Sequence, residues 1–322
     1  MVLGVALVMG CSGWRGNVVA RDALDLAART LQQRARRSGG MTRAQVRRLL
    51  GDNIAQDRYQ CMPAAAAVLA APPARTPQRR IDGSMPHYGV FEGPLRYRVG
   101  SARRGRRDYV WQVSLNVGLT LPDGDETLVL PDCALRGRLT GPMRCEGVAY
   151  ERAPGTEVCP ASGHFEAAAS RHNVRVLLAQ WSREVAAYFN RDARFDHLPI
   201  RYRFHFFAVG DAAASRRPVD LVLTLHPNCA RQPYFAGLRS GWSLPVLAHE
   251  MAHFLGLLDE YEPFSGVFSF YPKTPFEGSE TSRMGLSMKP NTHFYPLHHY
   301  LVLRRYFCQQ RAPDPFSQFM IR

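Results

Sequence analysis

The pattern of apolar and polar residues predicts both helices and strands in the second half of the chain. Apolar side chains recur at helical spacing from Val174 to Tyr188, which predicts a long amphipathic helix packed on a core. Residues 200–206 and 221–225 alternate between apolar and polar types and predict half-buried strands. A second helical pattern follows near residue 250. This order predicts an α+β fold.

The first half of the chain predicts smaller elements. Residues 21–37 and 43–50 have amphipathic helical patterns, and the Pro/Ala-rich stretch 63–78 resembles a linker. Alternation at 109–115 and an apolar run at 128–130 predict a small β-rich region. We therefore expect four parts: a signal segment at 1–11, a helical and linker region at 12–80, a smaller β-rich region at 81–165 and a larger domain at 166–322.

The segment from His249 to Asp259 carries the clearest chemical signal in the chain. His249 and His253 are four residues apart, so on a helix both side chains leave the same face and can bind one metal ion. Glu250 lies between them and can act as a general base rather than as a ligand. The spacing predicts a zinc site with a catalytic glutamate.

Gly256 determines whether a third ligand can reach that site. On a straight helix, Asp259 would lie roughly 15 Å along the axis from His249, at 1.5 Å per residue. Glycine adopts a left-handed conformation at little cost, so Gly256 can end the helix and turn the chain back towards the metal. Asp259 then becomes the expected third ligand.

These residues resemble the active-site helix of the metzincin clan of zinc metallopeptidases. The clan's pattern is H-E-x-x-H-x-x-G-x-x-H, with Asp at the last position in a minority, and Asp259 occupies that position. The D-E-Y at 259–261 resembles the D-E-Y that follows the glycine in a group of bacterial metallopeptidases. The S-x-M of the clan's methionine turn is matched at 282–284 and again at 286–288. The resemblance covers about residues 166 to 305 and implies a long helix, a twisted mixed sheet, an active-site helix and a methionine turn.

Several other residues are alternatives for the third ligand, and one more is a candidate for catalysis. Glu260 is adjacent to Asp259, and imidazole ligands are available later in the chain, at His293, His298 and His299. The hydroxyl of Tyr261 can hydrogen-bond the oxyanion of a tetrahedral intermediate, although a half-buried packing role suits a tyrosine here equally well.

The amino terminus and the charge bear on location. The apolar run 2–9 followed by Gly10-Cys11 resembles the lipobox of bacterial lipoproteins, which implies export and membrane anchoring through a lipidated Cys11. The alternative is a buried first strand followed by an ordinary cysteine. The net charge of +14 favours a solvated or membrane-apposed face, and no nucleic-acid motif accompanies it.

The remaining six cysteines form an even set that can close three disulfides in an exported protein. The alternative is a set of reduced, buried thiols in a cytosolic protein. Spacing favours a bridge among the three cysteines in the middle of the chain. The six are Cys61, Cys133, Cys145, Cys159, Cys229 and Cys308.

The sequence thus predicts a zinc-dependent endopeptidase that hydrolyses peptide bonds, with Zn²⁺ held by His249, His253 and Asp259 and a zinc-activated water deprotonated by Glu250. Its expected partners are protein or peptide substrates, its expected location is the bacterial cell envelope or the secreted fraction, and we expect a monomer. Two alternatives remain open. One is a hydrolase of peptidoglycan peptides, and the other is a zinc-binding envelope lipoprotein without activity.

Overall fold

The structure is a computed structural model, and most of the second half of the chain is described in it. The described residues are 63–87, 91–106, 108–122, 126–131, 135, 137–141, 165–211, 218–229, 234–260, 281–285 and 291–309. The predicted signal segment with Cys11, the predicted helices 21–37 and 43–50, and Tyr261 all lie outside these ranges. Within them, no helix combines the length and the apolar character that a membrane span requires.

Four helices and eight strands make up these ranges. The helices are α1 (Ala65–Leu69), α2 (Arg171–Phe195), α3 (Leu244–Phe254) and α4 (Pro296–Cys308). The strands are β1 (Arg79–His87), β2 (Phe91–Arg103), β3 (Tyr109–Thr120), β4 (Thr127–Leu130), β5 (Phe165–Ala168), β6 (Ile200–Ala208), β7 (Leu221–His226) and β8 (Leu238–Arg239). The α+β class is confirmed, as are strands at each of the four stretches predicted from alternation or from an apolar run.

A mixed, six-stranded sheet is built around β3. The strands β1, β2 and β3 form an antiparallel meander, in which Val99 pairs with Val113. The later strands β6 and β7 both pair with β3 in parallel, and β8 pairs with β7 in parallel. A separate two-stranded antiparallel sheet joins β4 to β5.

This sheet crosses the boundary at residue 165 that the sequence pattern suggested. β3 belongs to the predicted β-rich region, whereas β6 and β7 belong to the predicted domain at 166–322, and all three lie in one sheet. The reason is that alternation specifies which face of a strand is buried but not which strand lies beside it. The described strands on both sides of residue 165 therefore share one core.

Helix α2 covers one face of the sheet. Its amino terminus is capped by Ser170, whose hydroxyl accepts a hydrogen bond from the backbone N–H of Asn173. The predicted apolar stripe is buried from Val174 to Val185. Trp181 packs edge-on against Phe206 of β6, with ring centroids 5.7 Å apart. The long helix predicted from periodicity is thus confirmed, together with the face that it buries.

Part of the expected linker is packed on the core. The stretch 63–78 contains α1, in which Ala65 and Val68 are buried. The carbonyl of Pro63 accepts a hydrogen bond from the Tyr300 hydroxyl of α4 at 2.7 Å, and the carbonyl of Ala70 accepts one from the indole of Trp111 at 2.8 Å. The composition of this stretch suggested a flexible segment, but its alanines and valine are small enough to pack closely beneath α4.

Two of the six cysteines lie in the described ranges, and both are disulfide-bonded. These are Cys229, which follows β7, and Cys308, the last residue of α4. The other four lie outside the described ranges, so the predicted bridge among Cys133, Cys145 and Cys159 stays a prediction.

Candidate metal centre

Helix α3 carries the two histidines into the interior of the protein. It begins after Ser243, which has an extended backbone, and Pro245 lies in its first turn, where a missing N–H is tolerated. The residues around the polar motif are apolar and buried, and His249, Glu250 and His253 are at most 7% exposed. Three buried polar groups on an apolar helix require partners, because an unpaired polar group in the interior is costly.

The helix ends in the turn that the sequence predicted at Gly256. Gly256 has a φ of +84°, in the left-handed region. Its N–H donates to the carbonyl of His253 at 2.8 Å, and the N–H of Leu257 donates to the carbonyl of Ala252 at 3.0 Å. These two bonds form a complete Schellman motif, with Leu255 as the C-cap. The prediction that Gly256 ends the helix and reverses the chain is confirmed.

The turn brings Asp259 back to the two histidines. We call residues 255–260 the ligand loop. The Nε2 atoms of His249 and His253 are 3.2 Å apart, and Oδ1 of Asp259 lies 3.1 Å from the first and 3.5 Å from the second. The three residues form the one group of metal-ligand type found among the described residues. The structure therefore brings together the three residues that the sequence predicted as ligands.

Backbone carbonyls determine which nitrogen of each histidine faces the centre. Nδ1 of His249 lies 2.8 Å from the carbonyl of Arg283, and Nδ1 of His253 lies 2.8 Å from the carbonyl of Leu257. A carbonyl can only accept a hydrogen bond, so both Nδ1 atoms carry hydrogen. In the neutral rings each Nε2 then has a free lone pair directed at the centre, which is the tautomer that a metal ligand requires.

The donor atoms fit a zinc ion. Zinc–nitrogen distances of about 2.0–2.1 Å and zinc–oxygen distances of about 2.0–2.2 Å separate two corners of a tetrahedron by about 3.3–3.6 Å. The observed separations of 3.1, 3.2 and 3.5 Å depart from that range by at most about 0.2 Å. Two imidazoles with one carboxylate also suit non-haem Fe(II). The three residues could therefore hold a transition-metal ion, and their geometry alone does not single out zinc.

Glu250 adds a second negative charge beside this centre. It follows His249 on the helix, and at 100° per residue it lies about 80° around the axis from the midpoint of the two histidines. Burial lowers the pKa of His249, but the hydrogen bond to Asp259 and the charges of Asp259 and Glu250 outweigh it, so the pKa is raised. A raised pKa means that protons and a metal ion compete for His249, so metal binding should weaken as the pH falls.

The predicted methionine turn at 282–284 lies against the metal helix. The carbonyl of Arg283 is the acceptor for His249, and the carbonyl of Met284 accepts a hydrogen bond from the N–H of Glu260 at 2.8 Å. The side chain of Met284 is fully buried. The turn therefore contacts His249 through the carbonyl of Arg283 and the ligand loop through the carbonyl of Met284. The second match, at 286–288, lies outside the described ranges.

The alternative third ligands are occupied elsewhere. His298 contacts Glu260, with Nε2 2.9 Å from Oε1, and both side chains are buried. Nδ1 of His299 lies 2.8 Å from the Tyr202 hydroxyl, and burial, assisted by nearby His298, lowers the pKa of His299 to about 3. The structure therefore places none of these side chains in the group formed by His249, His253 and Asp259, which we call the metal group.

His293, the earliest of the downstream histidines, contacts a different carboxylate. Its Nδ1 lies 3.3 Å from Oδ1 of Asp192, on helix α2. Asp192 also accepts a hydrogen bond from the N–H of Phe294 at 2.8 Å. His293 therefore joins α2 to the segment before α4 and lies outside the metal group.

Two arginines support the site and were missed by sequence reasoning. Arg305 lies on α4, and its guanidinium donates to the carbonyls of Gly256 at 2.9 Å and Leu301 at 3.0 Å. Arg283 is the middle residue of the turn at 282–284 and is buried, with its guanidinium 4.4 Å from the ring centre of Tyr188. Burial lowers the pKa of Arg283 to about 10. Nothing local in the sequence signals these contacts, although an arginine within the apolar pattern of α4 is unusual and could have been singled out.

Comparisons of the chain with protein-family models, with curated proteins and with solved structures gave no match. The case for a metal centre rests on the contacts among His249, His253 and Asp259 described above.

Proposed function

We propose that the chain is a zinc-dependent endopeptidase of the metzincin type, with His249, His253 and Asp259 as zinc ligands and Glu250 as the general base. One observation carries this proposal. Three donor atoms converge within 3.5 Å of one another, and the Nδ1 hydrogens of both histidines are committed to carbonyls. Such a convergence of lone pairs is unfavourable unless a proton or a metal ion lies between them.

The position of Glu250 favours hydrolysis as the chemistry of this centre. Zinc, when bound, supplies a Lewis acid that polarises a carbonyl and acidifies water. The Glu250 carboxylate lies on the same helix as both histidines, and in the proposed mechanism it would accept a proton from the attacking water and return it to the departing amine. A site that binds metal only for structure does not require a general base beside its ligands.

We also propose that the protein is exported to the bacterial cell envelope or secreted, anchored through Cys11 when lipidated. The disulfides at Cys229 and Cys308 support an oxidising compartment, because cytosolic thiols are normally kept reduced. Tyr261 stays a proposed catalytic residue that would contact the oxyanion.

The test compares the purified protein with Glu250→Gln, using casein and purified sacculi as substrates, each with and without a chelator. We expect casein cleavage that chelator abolishes and zinc restores. Glu250→Gln should retain zinc and lose activity by at least about 10²-fold, the lower bound for removing a general base. Cleavage of sacculi alone would move the substrate to peptidoglycan, and equal activity in Glu250→Gln would refute the mechanism.

A further inference from the structure

Helix α4 contacts the ligand loop at two places, near the first and near the last residue of the loop. Neither contact belongs to the metal group, and both come from residues that the proposed chemistry does not use. The contacting side chains are His298, in the first turn of α4, and Arg305, in its last turn. Both are buried, with exposures of 2% and 1%.

The contact at the end of the loop is between His298 and Glu260. The backbone N–H of Tyr295 donates to Nδ1 of His298 at 2.8 Å, so Nδ1 is an acceptor and carries no hydrogen. Nε2 must then be the protonated nitrogen, and it donates to Oε1 of Glu260 at 2.9 Å. The orientation of the His298 ring is therefore set by the capping box of α4, independently of its contact with the ligand loop.

The contact at the start of the loop is between Arg305 and the end of α3. Its guanidinium donates to the carbonyl of Gly256 at 2.9 Å and approaches that of Leu255 at 3.4 Å. A cation at this place also interacts favourably with the carboxyl end of the helix dipole. The turn that begins the ligand loop is thus held by a charged group on the same helix.

The two contacts lie on one face of α4. His298 and Arg305 are seven residues apart, so they lie on the same face of α4 and about 10 Å apart along its axis. Asp259 precedes Glu260 directly, and the N–H of Glu260 is fixed to Met284. Glu260, the neighbour of Asp259, is therefore held at two points, its N–H by Met284 and its carboxylate by His298. These two contacts restrict where the Asp259 carboxylate can lie.

We propose that Glu260 and His298 are positioning residues of the metal centre, which hold the Asp259 carboxylate at the distance that a metal ion requires. This inference rests on the metal-binding part of the proposed function. Hydrogen-bonded neighbours of metal ligands commonly tune metal affinity in this way. Here the neighbour acts through the adjacent residue of the chain rather than through the ligand's own oxygen.

The test measures zinc affinity by competition with a chromophoric chelator. Glu260→Ala and His298→Ala should each bind zinc about 10–100-fold more weakly than the wild type. Glu260→Gln keeps an oxygen that can accept from His298, so it should stay within about threefold of the wild type. The matched control is His293→Ala, which removes a histidine from the same stretch whose partner is Asp192 rather than the ligand loop.

A spectroscopic measurement separates positioning from general loss of structure. The visible absorption of the Co²⁺-loaded protein reports ligand geometry. It should change in Glu260→Ala and be preserved in Glu260→Gln and His293→Ala. Should His298→Ala fail to fold, the comparison of Glu260→Ala with Glu260→Gln decides the matter alone, because Gln keeps the size and an acceptor oxygen of Glu whereas Ala removes both.

The outcomes distinguish this inference from the function on which it rests. Wild-type protein that binds no zinc would overturn the proposed function and the inference together. Wild-type protein that binds zinc, with Glu260→Ala binding it equally well and with an unchanged Co²⁺ spectrum, would overturn the inference alone.

Discussion

The turn at Gly256 offers the sharpest quantitative prediction. A Cβ atom added to Gly256 would lie 2.5 Å from Cζ and Nη1 of Arg305, closer than any ordinary contact. An arginine end group usually moves aside easily, but this one is buried and hydrogen-bonded to backbone carbonyls of the ligand loop and of α4. Gly256→Ala must therefore both adopt a left-handed backbone and displace the guanidinium.

The magnitude follows from these two effects. The left-handed conformation costs a residue with a Cβ about 1–2 kcal/mol. Losing a hydrogen bond to a charged group costs a further 1.5–3 kcal/mol, roughly. We therefore expect Gly256→Ala to lower the free energy of unfolding by about 2.5–5 kcal/mol. Gly256→Val should cost at least as much, since its β-branched side chain is larger.

The matched control is Gly210→Ala. Gly210 has a φ of +88°, almost the same as Gly256, but an added Cβ would meet nothing within 4 Å. It should lose only the conformational part, about 1–2 kcal/mol. Denaturant unfolding of the metal-free proteins in chelator measures both changes, provided that unfolding is reversible and two-state.

The decisive comparison uses Arg305→Ala as a background. Without the guanidinium, the cost of Gly256→Ala should fall to that of Gly210→Ala, because the clash is removed. If Gly256→Ala costs no more than Gly210→Ala in the otherwise wild-type protein, the packing of Arg305 on the turn is wrong. If its cost is unchanged in the Arg305→Ala background, the two residues are not coupled.

Three further predictions concern the ligands, the base and acid stability. Asp259→Ala should weaken zinc binding in a chelator competition, while Asp259→His should keep most of it, because either side chain can supply a ligand; equal affinity of wild type and Asp259→Ala would exclude this ligand. Glu250→Gln should bind zinc as the wild type does while hydrolysing casein far more slowly, as the amide cannot accept a proton; metal loss without a separate catalytic defect would make Glu250 structural. In the folded protein the pKa of His299 is lowered to about 3, whereas in the unfolded chain it is about 6.5. Between these two pH values only the unfolded chain binds the proton, so the free energy of unfolding decreases by about 1.4 kcal/mol for each unit by which the pH is lowered. His299→Phe should flatten this acid slope in chelator, and an unchanged slope would show that His299 is not buried in its neutral form.

Local signals in the sequence were enough to predict about half of the described helices and strands, including the helix that carries His249 and His253 and the turn that ends it. Alternation identified β3, β6 and β7, and the helical stripe identified α2, because burial of one face leaves a direct periodic trace. Gly256 was predictable for a similar reason: only glycine adopts its left-handed backbone cheaply.

Long-range contacts left no such trace. The pairing of β3 with both β6 and β7 joins strands that are distant in the chain. The bond between Glu260 and His298 spans 38 residues, and that between Gly256 and Arg305 spans 49. Nothing in the sequence pairs these residues with one another, and their contacts appear only when the fold brings the partners near. The supports of the metal centre were therefore beyond local reasoning, while its ligands were not.

Metal analysis of the purified protein tests the central claim most directly, with His249→Ala, His253→Ala and His293→Ala measured in parallel. The account predicts about one zinc ion per chain in the wild type and in His293→Ala, and almost none in the other two variants. Stoichiometric zinc in all four proteins, or iron in place of zinc in the wild type, would contradict it.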